Sequence, residues 1–269
     1  MQRQTQGNLC LFLYNIVMEK TSKNLLITFL YLFCLYLAFQ LIPYEKMSDS
    51  LPVQQIIKGV FLLSLLCLII FEWKKLGYFR KKTSNENEVL LTLPLLLACF
   101  SNLLVVALEK TPLEHCSLPL FFSNILTLFL SCAIEELLFR KFFLTYLLDK
   151  LQGRRADEFK SVLYSSFAFS LMHVINFTSG AYLSVLLQLG YTFLLGLVLG
   201  LLSIRVNDDI LPICGHIAFN FFNMLLVNSL FPTLSYGLSY YLVNGLLGGA
   251  ALIYAFVLCL YIGRKEDNA

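Results

Sequence analysis

The chain has 269 residues, 58% of them hydrophobic and 14% charged, with a mean hydropathy of +0.73 and a formal net charge of +3. That balance excludes an ordinary soluble domain and defines a polytopic membrane protein. The basic residues fall in short clusters between apolar runs, so they read as topology signals and not as a nucleic-acid surface.

Residues 1–20 carry a short apolar patch at 9–17, with Arg3 before it and no small-residue cleavage site after it. This favours a cytoplasmic interfacial segment over a signal peptide. Spans are then expected at 24–42, closed by Pro43, at 53–71, and at 89–108 with Pro94 near its start. The stretch 118–148 is long enough to cross and to continue as an amphipathic cytoplasmic helix. Further spans are expected at 159–177, 181–204, 210–230 and 240–262. Each approaches or exceeds the roughly 20 residues needed to cross. The fifth and seventh are the most polar and are expected to face the bundle interior. The fold expected is thus all-α, a membrane helical bundle of about eight spans. It divides into an N-terminal segment 1–23, helices one to three within 24–117, a core of helices four to seven within 118–230, and a last helix with its tail in 231–269.

Lys and Arg set the orientation. With the N-terminus inside, cytoplasmic segments hold 15 basic residues, among them the cluster Lys74, Lys75, Arg80, Lys81 and Lys82, and outer segments hold three, Lys46, Lys58 and Lys110. Both termini are expected to be cytoplasmic. The eight cysteines mostly fall inside spans without paired spacing, which predicts buried thiols, no disulfide framework and no cysteine-based metal site. Cys132 lies one turn before Glu136, and nothing in the sequence supplies it with a base. Gly196/Gly200 and Gly245/Gly249 are small-xxx-small pairs that predict close helix packing.

The fourth span carries the residues that need a reason. Glu135 and Glu136 interrupt an apolar run, and Arg140 follows four residues after Glu136. An intramembrane charge survives mainly when it is paired or faces a polar interior. Glu136 and Arg140 share a helix face and can pair. Glu135 points about 100° away and stays free to act. A buried structural ion pair at a helix end accounts for the same stretch.

His173 on the fifth span, and His216 with Asn220 one turn later on the seventh, add polar groups. His115 falls in an outer loop and is expected to be solvated. At about 1.5 Å per residue, Glu135 lies roughly 18–20 Å from the cytoplasmic end of its helix, His173 roughly 20 Å from Lys160, and His216 and Asn220 roughly 10–17 Å from Asp209. These depths coincide in the inner half of the bilayer. A glutamate shielded by apolar residues can act as a general base, a histidine can share its water, and a histidine–asparagine pair can stabilise a developing oxyanion. No serine elbow or HExxH motif is present. Of the adjacent Asp208 and Asp209, Asp209 reads as a helix N-cap and not as part of an aspartyl-protease dyad.

The sequences E-E-L-L-F-R (Glu135, Glu136, Arg140), F-S-L-M-H (Phe169, His173) and H-I-A-F-N (His216, Asn220) resemble, in order, the three motifs of the CAAX protease and bacteriocin-processing family, also called the abortive-infection family. The resemblance covers roughly 118–223. It implies an all-helical intramembrane glutamate endopeptidase of the type II CAAX prenyl endopeptidase kind. Glu135 would activate water, His173 would help bind it, and His216 with Asn220 would stabilise the oxyanion. Glu136 and Arg140 would brace the site, and Phe169 would pack beside it. Lys141 departs from the glycine that often follows the motif arginine, which bears on local helix packing. No cofactor is expected; a zinc ion on Glu135, His173 and His216 is the second choice.

The resemblance implies a membrane-associated peptide or protein substrate, whether a CAAX-like tail, a bacteriocin leader or a pheromone-type peptide. It also implies the lipid bilayer as surroundings and no nucleic acid. An integral protein of a bacterial cell membrane fits the modest length. A non-catalytic bacteriocin self-immunity protein or scaffold is the rival reading. A transporter using the same charges is a third, though no internal repeat supports it.

Overall fold

The structure is a computed structural model that describes residues 22–76, 95, 98–115, 117–151, 155–179, 182–206, 210–231, 238–254 and 256–257. The expected interfacial segment, the start of the third span (89–94, 96 and 97), the N-cap at Asp209 and both termini lie outside the described residues.

Among the described residues the architecture is all-helical. The first helices are α1 (Ser22–Gln40), α2 (Leu51–Leu76) and α3 (Ser101–Glu109). Next come α4 (Leu118–Leu151), α5 (Arg155–Met172) and α6 (Tyr182–Val206). The last two are α7, which opens as Ile210–Asn220, and α8 (Leu238–Tyr254). Four helices are long and apolar enough to cross a membrane: α1, α2, α4 and α6 up to Arg205. Two shorter apolar stretches, Ile210–Asn223 and Leu238–Tyr254, accompany them.

The first layer joins α1, α2 and α4. On α1, Leu25, Phe29, Leu32 and Tyr36 recur every three or four residues, so they share one face, and all four are buried. They pack with Leu62, Leu65, Ile69 and Trp73 of α2 and with Leu130, Ile134, Leu138, Phe139 and Phe142 of α4. Aromatic rings lock the seam: Phe29 stacks on Phe143 at 4.7 Å and meets Phe139 edge-on at 5.7 Å. The opposite faces of these helices present Ile27, Phe71 and Leu126 outward. In lipid such exposure costs nothing, and helix association rests on packing and internal polar contacts.

The second layer pairs α5 with α6, where small residues set the distance. A Cβ added at Gly196 would stand 3.0–3.1 Å from Ser166, and one at Gly200 would stand 3.0 Å from Val162. The pair on α6 therefore marks a close helix crossing, as its spacing implies. The pair on α8 does not. Gly245 and Gly249 have no atom within 4 Å of an added Cβ among the described residues, and Gly248 is the glycine that faces Ser101. A shared four-residue spacing fixes a helix face but not whether a neighbour covers it.

The polar fifth span does face inward: Ser161, Ser165, Ser166 and Ser170 are all buried. Two of them bond across helices, Ser165 to the Phe139 carbonyl at 2.9 Å and Ser170 to the Leu189 carbonyl at 2.7 Å. The span is shorter than the expected 159–177, because the α-helix stops at Met172 and His173–Ser179 continues as a 3-10 turn. Val174 and Ile175 are β-branched, and Asn176 bonds Gln188 through its side chain, so helix propensity is low there.

An amide knot ties α3, α7 and α8. Asn223 accepts from the Ser101 hydroxyl (3.0 Å) and the Asn102 backbone N–H (3.1 Å), and donates to the Ala98 carbonyl (2.9 Å). Asn244 donates to the Asn102 side chain at 2.6 Å. Truncation to Asn223→Ala would take the partner from the buried Asn102 N–H and Ala98 carbonyl, while the Ser101 hydroxyl keeps Asn244. The expected cost is about 2–3 kcal/mol, read as a lower thermal midpoint in detergent; an unchanged midpoint would refute the clamp.

Candidate active site

Glu135 and Glu136 end the regular α-helical part of α4, Leu118–Glu136, and a π-helical segment, Leu137–Phe143, follows at once. A second π segment, Phe221–Leu225, follows Asn220 on α7. Such segments cluster at functional sites because they re-aim side chains and free backbone groups. Here the Ser165 hydroxyl takes the Phe139 carbonyl within the first of them. Lys141, where the motif often has glycine, carries its ammonium 4.8 Å from the Trp73 ring centroid, outside the polar cluster.

The polar side chains converge from α4, α5 and α7. Glu136 is 2% exposed and is held from two sides. Its Oε2 lies 3.0 Å from Arg140 Nε, and its Oε1 lies 2.9 Å from His216 Nδ1. The Arg140 guanidinium, also 2% exposed, rests 4.4 Å from the centre of the Phe169 ring. None of its nitrogens has a hydrogen-bond partner among the described residues, so its contact with Glu136 is an ion pair and not a hydrogen bond. The arginine thus pairs most closely with Glu136, as the four-residue spacing implies, with Glu135 also within its electrostatic reach.

Glu135 takes another set of neighbours. Its Oε2 lies 3.8 Å from His216 Nε2, too far for a direct hydrogen bond. Its Oε1 accepts a 2.5 Å hydrogen bond from the Tyr36 hydroxyl on α1. Asn220 Nδ2 lies 3.0 Å from His216 Nε2 and 3.3 Å from Cys132 Sγ. With its Nδ1 proton given to Glu136, His216 receives the amide proton of Asn220 at Nε2.

His173 stands across the Phe169 ring from His216. The two imidazoles lie 5.2 and 5.6 Å from the Phe169 centroid, both edge-on. His173 Nδ1 donates to the Phe169 carbonyl at 3.1 Å, which leaves Nε2 as an acceptor. His173 is in electrostatic reach of Glu135 and of His216. His115 is exposed in its loop, apart from this cluster.

Three neighbours escape the motif reading: Tyr36, Cys132 and Lys58. Tyr36 is one of a repeating set of apolar residues and is distinguished there only by its hydroxyl. Cys132 finds the imidazole that the sequence alone did not supply. Lys58, counted with the outer segments in the charge tally, sits two turns into α2, half-buried and within electrostatic reach of Glu135. A lone cation inside an apolar helix was the available signal for it.

Zinc would need Glu135, His173 and His216 to turn three donors on one point. Among the described residues no group of three His, Cys, Asp or Glu is disposed to hold a metal ion. The His216 Nε2 lone pair is met by Asn220, and both Nδ1 atoms are engaged. The arrangement does not fit the ion.

A helical bundle with carboxylates, imidazoles and an amide gathered between apolar helices is an integral membrane protein with an enclosed polar centre. Residues 117–222, about two fifths of the sequence, match the model of a family described as type II CAAX prenyl endopeptidase Rce1-like. Over this segment the chain is similar to that family of proteases. Searches of curated proteins and of solved structures gave no match.

Proposed function

We propose that the chain is an intramembrane endopeptidase that hydrolyses a membrane-associated peptide or protein, with Glu135 as the base that activates water. The observation that carries this reading is the placement of Glu135 Oε2 opposite His216 and Asn220, while Glu136 and Arg140 form an ion pair. Water held by Glu135 and by the His173 Nε2 lone pair attacks the scissile carbonyl, and its proton passes to Glu135. The carbonyl oxygen becomes the oxyanion, and the Asn220 N–H turns toward it from its resting contacts. The leaving amine then takes the proton back from Glu135, so the carboxylate is regenerated as the C–N bond breaks.

A positioned base of this kind supplies on the order of 10²–10⁴ in rate. Each aimed donor adds on the order of 10²–10³. His216 is a second donor only as the imidazolium. Two carboxylates set against one guanidinium leave room for that single positive charge.

One observation favours a second mechanism. Cys132, His216 and Asn220 are the residue types of a thiol protease, and the Cys132 thiol lies beside Asn220. In a thiol protease, however, the amide orients the imidazole from the side away from the sulfur. Here that side is taken by Glu136, and the Asn220 amide nitrogen contacts both the sulfur and the ring. The glutamate reading therefore accounts for more of the site.

The substrate is proposed to be a peptide tail of the CAAX type, following the family's description; bacteriocin or pheromone-type peptides, in a bacterial cell membrane, are the other substrates proposed. The test compares membrane peptidomes of cells that carry the wild type or Glu135→Ala. A peptide that accumulates uncut only with the variant is expected, and identical peptidomes would sink the reading. Cleavage of that peptide by purified protein should persist in a chelator. Loss that zinc restores would instead favour a metal on Glu135, His173 and His216.

A further inference from the structure

Tyr36 belongs to no motif and lies outside the matched segment 117–222. It is 1% exposed, at the end of the α1 seam formed by Leu25, Phe29 and Leu32. A phenylalanine would continue that seam equally well, and burying a hydroxyl is unfavourable unless it is bonded. The Tyr36 hydroxyl is bonded, and its acceptor is Glu135 Oε1 at 2.5 Å, the short distance of a hydrogen bond to a charged acceptor. Gln40, one turn further on α1, and Ser131, one turn before Glu135, flank the phenol oxygen.

The contact is asymmetric. Glu135 has two carboxylate oxygens, and the phenol takes one of them. The other, Oε2, is the oxygen that faces His216. The Arg140 Nε is set against Glu136, on the helix face about 100° round from Glu135. The neighbouring carboxylate is held by the guanidinium and an imidazole, whereas the hydrogen bond on Glu135 comes from a neutral phenol.

We propose that Tyr36 is a positioning residue of the hydrolytic site: its phenol fixes Oε1 of Glu135 so that Oε2 is the oxygen presented to the attacking water. The proposal rests on the endopeptidase reading and extends the site to α1, which completes it from outside the family segment. A base held in one rotamer reacts faster without binding substrate more tightly, so the effect belongs in kcat and not in KM.

The experiment uses the full chain in lipid nanodiscs and an internally quenched peptide ending in a prenylated CAAX sequence. Tyr36→Phe is expected to lower kcat roughly 10- to 100-fold with KM little changed. Tyr44→Phe serves as the control; it removes a phenol that donates to the Phe39 carbonyl, away from the cluster, and should leave kcat unchanged. Infrared difference spectra between wild type and Glu135→Gln isolate the Glu135 carboxyl band. Tyr36→Phe should shift that band. A band that stays in place overturns the clamp whether or not the peptide is cut. A shifted band with unchanged kcat overturns the positioning role. A wild type that leaves the peptide intact, with the band shifted by Tyr36→Phe, counts against the endopeptidase reading on this substrate and not against the clamp.

Discussion

Glu135→Gln is expected to lower kcat/KM roughly 10²- to 10⁴-fold, with folding preserved. Glutamine has the shape of glutamate, and its amide oxygen can still accept the Tyr36 hydroxyl. The amide cannot take a proton from water, so the loss should fall on the chemical step and KM should change little. Cys132→Ala provides the contrast. If the sulfur only fills space beside Asn220, that variant should keep activity close to wild type. A Glu135→Gln enzyme that still turns over at the wild-type rate, or a Cys132→Ala enzyme that does not turn over, would transfer the chemistry to the thiol.

The second large effect is on stability. Arg140→Met removes the cation from a pair whose members are both 2% exposed. Breaking a buried pair by deleting one partner costs about 3–5 kcal/mol, because the other charge stays buried without its counterion. The guanidinium also leaves the Phe169 face, and Glu136 then has only His216 to balance it. The thermal midpoint in detergent should fall on the order of 10 °C. Glu136→Gln made together with Arg140→Met should cost less than the two single changes added, since the orphaned charge is gone. Additive losses would show that the two groups do not act as a pair.

The same physics separates what could be read from the chain and what could not. The Glu136–Arg140 pair was legible because four residues of helix fix both partners on one face. The proximity of His216 to Glu135 was legible only through depth, which restricts the plane of a residue and not its direction within that plane. Span ends were less secure. Helix α5 stops at Met172 where hydropathy would carry it on, because a side chain at His173 takes a carbonyl and the following residues resist the α conformation. Lys58 counted as an outer charge for a similar reason: a tally of cations along the chain assigns a side but no depth.

The sequence by itself determined the membrane class, the apolar helices, the three motifs and the level at which their polar groups meet. These depend on composition and on periods of three to four residues, which are local properties of a chain. The tertiary structure alone decided which neighbour each polar atom received. It gave Glu136 a second partner in His216, and it set the Asn220 amide against both an imidazole and a thiol. It also brought the Tyr36 phenol onto one oxygen of Glu135, across 99 residues of sequence. No local pattern encodes that last contact, because it exists only where two helix faces, each specified separately, are pressed together.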